Sequence, residues 1–180
     1  MNNKAVISSL VIAVLLIVAM GVLSKGQVGD SSQAQSGNHV LGNSASGNIQ
    51  PAPDFSLESL SGEVFSVSQY KGNKPVILDF WATWCPNCQR DMPRLNGFYE
   101  KYKDQVEVIG VNLQESRGLV ENFVNKRGIT FPIVLDPRSD AARSYGVRYT
   151  NFHVLIDKDS NVVRTIPGDI RESDILSLLN

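Results

Sequence analysis

Cys85 and Cys88 are the only two cysteines in the 180-residue chain, and they stand two residues apart in the run Trp84-Cys85-Pro86-Asn87-Cys88. A pair at that spacing can close and reopen a disulfide, or it can supply part of a metal centre. It cannot act as the disulfide framework that staples small secreted domains, because that needs several pairs spread along the chain. For exchange chemistry one sulfur must be a thiolate, and a free cysteine with a pKa of about 8.5 is mostly protonated at neutral pH. Cys85 falls where a helix begins, so free backbone N–H groups and the positive end of the helix dipole can stabilise its thiolate. That makes Cys85 the nucleophile. Cys88, one turn further on, is placed to resolve a mixed disulfide formed at Cys85. Pro86 fits the first helical position, where a missing N–H costs nothing.

The elements that must position this pair can be read on either side of it. Val76–Phe80 (VILDF) reads as a short buried strand after the turn signal Lys71–Pro75. A helix follows, with Met92, Leu95, Phe98, Tyr99 and Tyr102 on one apolar face. Val106–Val111 is a second strand, and Leu119–Arg127 a second helix, stopped by Gly128. This is a βαβ unit and implies a parallel strand pair. Ile133–Leu135 then reads as a strand and Ser139–Tyr145 as a short helix. Phe152–Asp157 and Asn161–Ile166 read as an antiparallel hairpin, and Asp169–Leu179 as a closing helix. The expected fold is an α/β sandwich with a mixed sheet and helices on both faces.

Ahead of this domain, expected over residues 51–180, the chain changes character twice. Ala5–Leu23 carries no charge and is bounded by Lys4 and Lys25. At about 1.5 Å per residue it is long enough to cross a bilayer as a helix, so residues 1–24 are expected to be an uncleaved signal anchor. A cleaved, secreted form is the alternative. Lys4 and the initiator amine favour a cytoplasmic N-terminus, which puts the rest of the chain outside the cytoplasm. Residues 25–50 are rich in Ser, Gly, Asn and Gln and read as a flexible tether, with His39 a solvated member of it. A formal net charge of −1 with no basic cluster excludes a dedicated nucleic-acid binder.

The run Asp79-Phe80-Trp81-Ala82-Thr83-Trp84-Cys85-Pro86-Asn87-Cys88, a strand ending in D-F-W-A-x-W-C-x-x-C and opening a helix, resembles the thioredoxin superfamily. Within it, the chain is most similar to the TlpA/ResA-type membrane-anchored thiol-disulfide oxidoreductases. The A-P-D-F-S-L run from Ala52, the S-G-E-V-F-S-V-S-Q-Y-K-G run to Gly72 and the L-I-D-K-D-S-N-V-V run from Leu155 support the match. The resemblance implies a thioredoxin-like fold and a protein disulfide reductase outside the cytoplasm, of the cytochrome c maturation or envelope-assembly kind. It also implies a membrane thiol donor of electrons, protein thiols and disulfides as substrates, a monomer, and no cofactor beyond the Cys85–Cys88 pair. Asp79 matches a buried carboxylate behind the dithiol. Burial in an apolar strand would raise its pKa and let it accept the Cys88 proton. Asp91 matches a position where related chains carry Glu close to the dithiol. Trp81 would wall the core, while Trp84, Pro86, Asn87 and Thr150 would line the substrate site.

One departure stands out. The resemblance places a cis-proline at Asn151, opposite the cysteines, and the proline is missing. A cis bond before a non-proline residue costs about 3–4 kcal/mol, so Thr150–Asn151 is expected to be trans. Substrate docking would then be altered, and Asn151 would present a polar side chain towards Cys85. His153 lies two residues on, on the same strand face, and with Cys85 and Cys88 would make three potential metal ligands. A core position for His153 is the simpler reading, and exchange needs both sulfurs free. Two alternatives accompany the reductase reading. One is a thioredoxin-fold module that binds metal or a partner. The other is a peroxiredoxin-like peroxidase, which shares the A-P-D-F opening but usually carries Thr-x-x-Cys and a distant resolving cysteine.

Overall fold

The computed structural model describes residues 50–180. The expected anchor, most of the tether and His39 lie outside the described residues. Among those that are described, no helix is long and apolar enough to cross a membrane.

Three two-residue strands come first, β1 (Gln50–Pro51), β2 (Leu57–Glu58) and β3 (Val64–Phe65). A single 3-10 turn at Ser68–Tyr70 leads to the central strand β4 (Val76–Trp81). Next come α1 (Pro86–Tyr102), β5 (Glu107–Leu113), α2 (Arg117–Arg127), β6 (Ile133–Asp136) and α3 (Asp140–Ser144). The hairpin β7 (Phe152–Ile156) and β8 (Asn161–Pro167) and the short helix α4 (Glu172–Leu176) complete the chain. The main sheet has the order β1-β8-β7-β4-β5-β6, with β2 and β3 forming a separate ribbon. β4 pairs in parallel with β5 and β5 with β6, whereas β7 runs antiparallel to both β4 and β8. The mixed sheet expected from the order of elements is therefore present, in thioredoxin-like arrangement.

Alternation along β4 divides the core. Val76, Leu78 and Phe80 pack into one cluster with Val111, Val154 and the alanines of α3. Ile77 and Trp81 point to the other face, where they meet Met92 and Leu95 of α1, Val120 of α2, and both cysteines. All six β4 residues are buried, as befits a central strand covered on both faces. Gly110 on β5 shows how close that packing is: a Cβ there would lie 2.5 Å from Ile133 Cδ1 and 3.1 Å from Trp81 Nε1.

α1 contains Pro93, which removes the N–H that would bond the Gln89 carbonyl. Arg127 at the end of α2 reaches that carbonyl instead, at 3.4 Å. α2 ends as expected, on Gly128 at φ +63°, with the Ile129 N–H returning to the Val124 carbonyl.

The last helix is shorter than its apolar spacing predicts. Residues 169–171 stay outside it because Asp169 binds Arg90 and Asn151, while the Ile170 N–H donates to Asp91. α4 starts only where the Asp174 carboxylate accepts the Arg171 N–H, and it ends in tighter three-residue turns at Leu178 and Leu179.

Candidate active site: a helix-capping disulfide backed by three buried polar side chains

Cys85 is the N-cap residue of α1, with extended backbone (φ −78°, ψ 114°), and its Sγ accepts the Cys88 N–H at 3.2 Å. The two sulfurs are joined as a disulfide, with Cα atoms 5.3 Å apart. Cys85 keeps 5% of its surface exposed and Cys88 only 1%, so Cys85 is the more accessible of the two to an incoming substrate. That asymmetry separates the nucleophile from the resolving thiol. With the pair open, the Cys88 N–H bond and the free end of α1 would stabilise a thiolate on Cys85.

The loop that delivers Cys85 is clamped by a residue outside the motif. Glu115, between β5 and α2, accepts the Thr83 N–H at 2.7 Å, the Thr83 hydroxyl at 2.5 Å and the Asn112 amide at 2.8 Å. Gln89 of α1 closes the loop from the other side by donating to the Thr83 carbonyl at 2.7 Å. No pattern in the sequence marks Glu115, because its partners come from separate elements.

Trp81 is fully buried, 5.1 Å from the Phe123 ring, and serves the core. Trp84 is 68% exposed beside Cys85. Pro86 and Asn87 are exposed at the start of α1, with Arg90 donating to Asn87 Oδ1 at 3.2 Å, and Thr150 is half-buried.

Behind the disulfide lies a group of buried polar side chains. Asp79 shares the sheet face of Ile77 and Trp81, the side on which the cysteines sit. Burial pushes its pKa up to about 6; the nearby His153 opposes that rise and Asp91 adds to it. Asp91 follows Cys88 by three residues on α1 and is itself only 2% exposed, which sets it apart from an ordinary solvated helix residue. Its carboxyl is also raised by burial, against the opposing pull of Arg94, which is ion-paired with it, and of the Ile170 N–H at 3.3 Å. His153, fully buried on β7, stands directly opposite Asp79 in the β4–β7 ladder. Its Nε2 lies 3.4 Å from Asp79 Oδ1 and 3.4 Å from Asp91 Oδ2.

One expectation about this region is corrected. Asn151 does not direct its amide at a sulfur: Nδ2 donates to Asp169 Oδ1 at 3.0 Å, and the Asn151 carbonyl accepts the Gly168 N–H. His153 takes the core position, the simpler of its two readings. Its Nε2 turns to the two carboxylates, and among the described residues no group of three or more His, Cys, Asp or Glu side chains is arranged to hold a metal ion. The Thr150–Asn151 bond is trans, as expected, and Asn151 takes a left-handed conformation at φ +59° that asparagine tolerates better than most residues.

Comparison with known proteins agrees with this geometry. The model of the AhpC/TSA family matches residues 49–165. ResA of Geobacillus thermodenitrificans, a thiol-disulfide oxidoreductase, is 42% identical over 125 residues, covering 69% of this chain and 71% of that protein. ResA of Bacillus thuringiensis is 34% identical over 171 residues, covering 94% and 91%. Among solved structures, a candidate thiol:disulfide interchange protein DsbE of Chlorobium tepidum superposes with a TM-score of 0.68 at 32% identity, over 73% of this chain and 97% of that one. With its thioredoxin-like sheet and its Cys85–Cys88 pair, the chain belongs to the AhpC/TSA family, among the ResA-type thiol-disulfide oxidoreductases.

Proposed function

We propose that this thiol-disulfide oxidoreductase works as a reductase of protein disulfides outside the cytoplasm, held at the membrane by residues 1–24. The observation that carries the exchange chemistry is the disulfide at the N-terminus of α1, with Cys85 at the cap slightly more exposed than Cys88. The Cys85 thiolate attacks a substrate disulfide, and the substrate's departing sulfur takes up a proton. Cys88 then gives its proton to the buried carboxylates and attacks Cys85 Sγ. The second substrate thiolate leaves and the Cys85–Cys88 disulfide reforms. Each cycle moves two electrons to the substrate, and a thiol donor must restore the dithiol. No cofactor beyond the pair is needed.

The uncharged Ala5–Leu23 run supports the anchor, and a domain tethered there would draw electrons from a membrane thiol carrier. The ResA relatives, named as thiol-disulfide oxidoreductases, support exchange with thiols and disulfides. The further reading, that the protein acts as a monomer in cytochrome c maturation or envelope assembly, rests on the resemblance to TlpA/ResA-type chains.

The test is a redox titration of the full-length protein in detergent micelles against glutathione and dithiothreitol series, with free thiols counted. A reversible two-electron couple, lost in Cys85→Ser, is the expected result. A potential well below that of the glutathione pool marks a reductant, and about 30 mV of difference corresponds to 1.4 kcal/mol. A pair that does not cycle would overturn the reading.

A further inference from the structure

His153 is the one buried titratable group at the site that the exchange scheme does not use. It is fully buried, yet neither of its ring nitrogens makes a hydrogen bond, and Asp79 Oδ1 has none either. Buried polar atoms are nearly always paired, so an unpaired Nε2 facing an unpaired carboxylate oxygen calls for an explanation. Nε2 sits at ion-pair distance from one oxygen of each carboxylate. The arrangement is built by three elements. β4 presents Asp79, β7 presents His153 in direct register with it, and α1 presents Asp91 one turn beyond Cys88.

We infer that His153 is a positioning residue that joins Asp79 and Asp91 into one buried proton store, which takes the Cys88 proton in the resolving step and passes it on once the disulfide has formed. This rests on the oxidoreductase function proposed above. In the resolving step the Cys88 S–H bond breaks and its proton enters the store. The Cys88 sulfur bonds to Cys85 Sγ, and the Cys85–substrate S–S bond breaks, with its electron pair leaving on the substrate thiolate. When a donor dithiol reduces the pair, Cys88 recovers a proton by way of the same carboxylates. Two carboxylates held 3.4 Å from the same imidazole nitrogen in the core feel each other's charge, so a proton taken up by one changes the other's hold on it.

The charged groups around His153 are few. Asp79 faces it from β4 and Asp91 from α1; Arg94 and Asp169 act on it only through Asp91. On β8 its ladder partner is Ile166, which brings no charge. Asn151, earlier on the same connection, is occupied with Asp169. Among the described residues, no charged side chain other than Asp79 and Asp91 lies within ion-pair distance of His153.

The chain contains only two histidines, His39 and His153, which makes the store directly observable. Full-length protein labelled with 15N-histidine, in detergent micelles, gives two imidazole spin systems whose nitrogen shifts report protonation and tautomer. Spectra are taken across pH 4–9 with the Cys85–Cys88 pair oxidised and then reduced by dithiothreitol. The expected result is that the His39 signals coincide in both states at every pH, while the His153 nitrogen shifts differ between the oxidised and the reduced protein. Superimposable His153 spectra in the two states would overturn the proposal.

His153→Gln gives an independent reading through the pH profile of the reaction with an oxidised protein substrate. Removing the imidazole takes away the group that opposes Asp79's protonation, so the inflection of the rate should move to higher pH by about one unit. A purely structural role for His153 would lower the rate or the melting temperature and leave the inflection in place, and that outcome counts against the store. If the wild-type pair does not cycle at all, the oxidoreductase reading fails and takes the store with it. If the pair cycles normally and the histidine signals ignore it, the store alone fails.

Discussion

His153 and Asp79 face each other across the β4–β7 ladder, so that an imidazole and a carboxylate meet in the core 3.4 Å apart without a hydrogen bond between them. Opposite residues on adjacent strands normally form the pairs that stabilise a sheet. This one holds a carboxyl in a medium that disfavours its charge, and the same site holds the resolving thiol.

Asp79 therefore weakens the fold while serving the chemistry, and the sign of its effect can be worked out. Its folded pKa, about 6, lies above the ordinary 3.8, so the folded state binds the proton more tightly than the unfolded chain. The folded state is unpenalised below pH 3.8, and that stability is lost as pH rises to and through 6. Asp79→Asn removes the penalty. The oxidised variant should be more stable than the parent by about 1–3 kcal/mol at pH 7.5 and indistinguishable from it at pH 3.5, read from denaturant midpoints at the two pH values. Turnover at pH 7 should fall by about 100-fold, because the Cys88 proton loses its acceptor.

The difference in exposure between the two sulfurs predicts what each serine variant leaves behind. Cys88→Ser should accumulate a covalent adduct between Cys85 and the substrate, visible by mass spectrometry and dissolved by dithiothreitol. Cys85→Ser should form none. Adducts forming equally at both sulfurs would mean that Cys88, buried in the oxidised protein, becomes open to substrate on reduction, and the assignment of roles would fall.

Asn151 stands in a left-handed conformation, which a β-branched side chain strongly disfavours. Asn151→Gly keeps that backbone at ease and loses only the bond to the half-buried Asp169, about 1 kcal/mol. Asn151→Val loses the same bond and adds strain, so it should cost about 1–2 kcal/mol more than the glycine variant. Equal costs for the two, in matched urea titrations, would show that the loop readjusts to another conformation.

The parts of this molecule that were legible in the sequence are those that carry a period or a capping signal. β4, α1 and α2 announce themselves through the buried run at Val76, the apolar face from Met92 to Tyr102, and Gly128. The first three strands are two residues long, too short for alternation to register. α4 reads as longer than it is because Ile170 is fully buried and looks helical in the pattern, whereas its backbone N–H is directed to Asp91 on another helix. The dithiol and Asp79 could be found from motif and position. The link from His153 to both carboxylates could not, since it depends on the β4–β7 register and on where α1 crosses the sheet. Glu115 escaped for the same reason, its three hydrogen bonds being made to Thr83 and Asn112 across two connections.

Trp84 offers a way to separate substrate docking from thiol chemistry. It is the most exposed large apolar side chain of the described residues, and it stands next to Cys85 on a loop that Glu115 and Gln89 hold in place. The ring belongs to neither core cluster, so truncation should leave the folded state nearly untouched. An exposed aromatic ring on a rigid support, beside the reacting atom, is the kind of residue that anchors a partner chain. Trp84→Ala should reduce kcat/KM towards an oxidised protein substrate by about 10- to 30-fold, equivalent to about 1.4–2 kcal/mol of lost contact. Reaction with oxidised glutathione, too small to cover the ring, should change by less than about threefold, because the capping N–H groups that stabilise Cys85 are unaltered. A parallel loss towards both substrates would show that Trp84 acts on the reactivity of Cys85 rather than on docking, and its place in the substrate site would have to be given up.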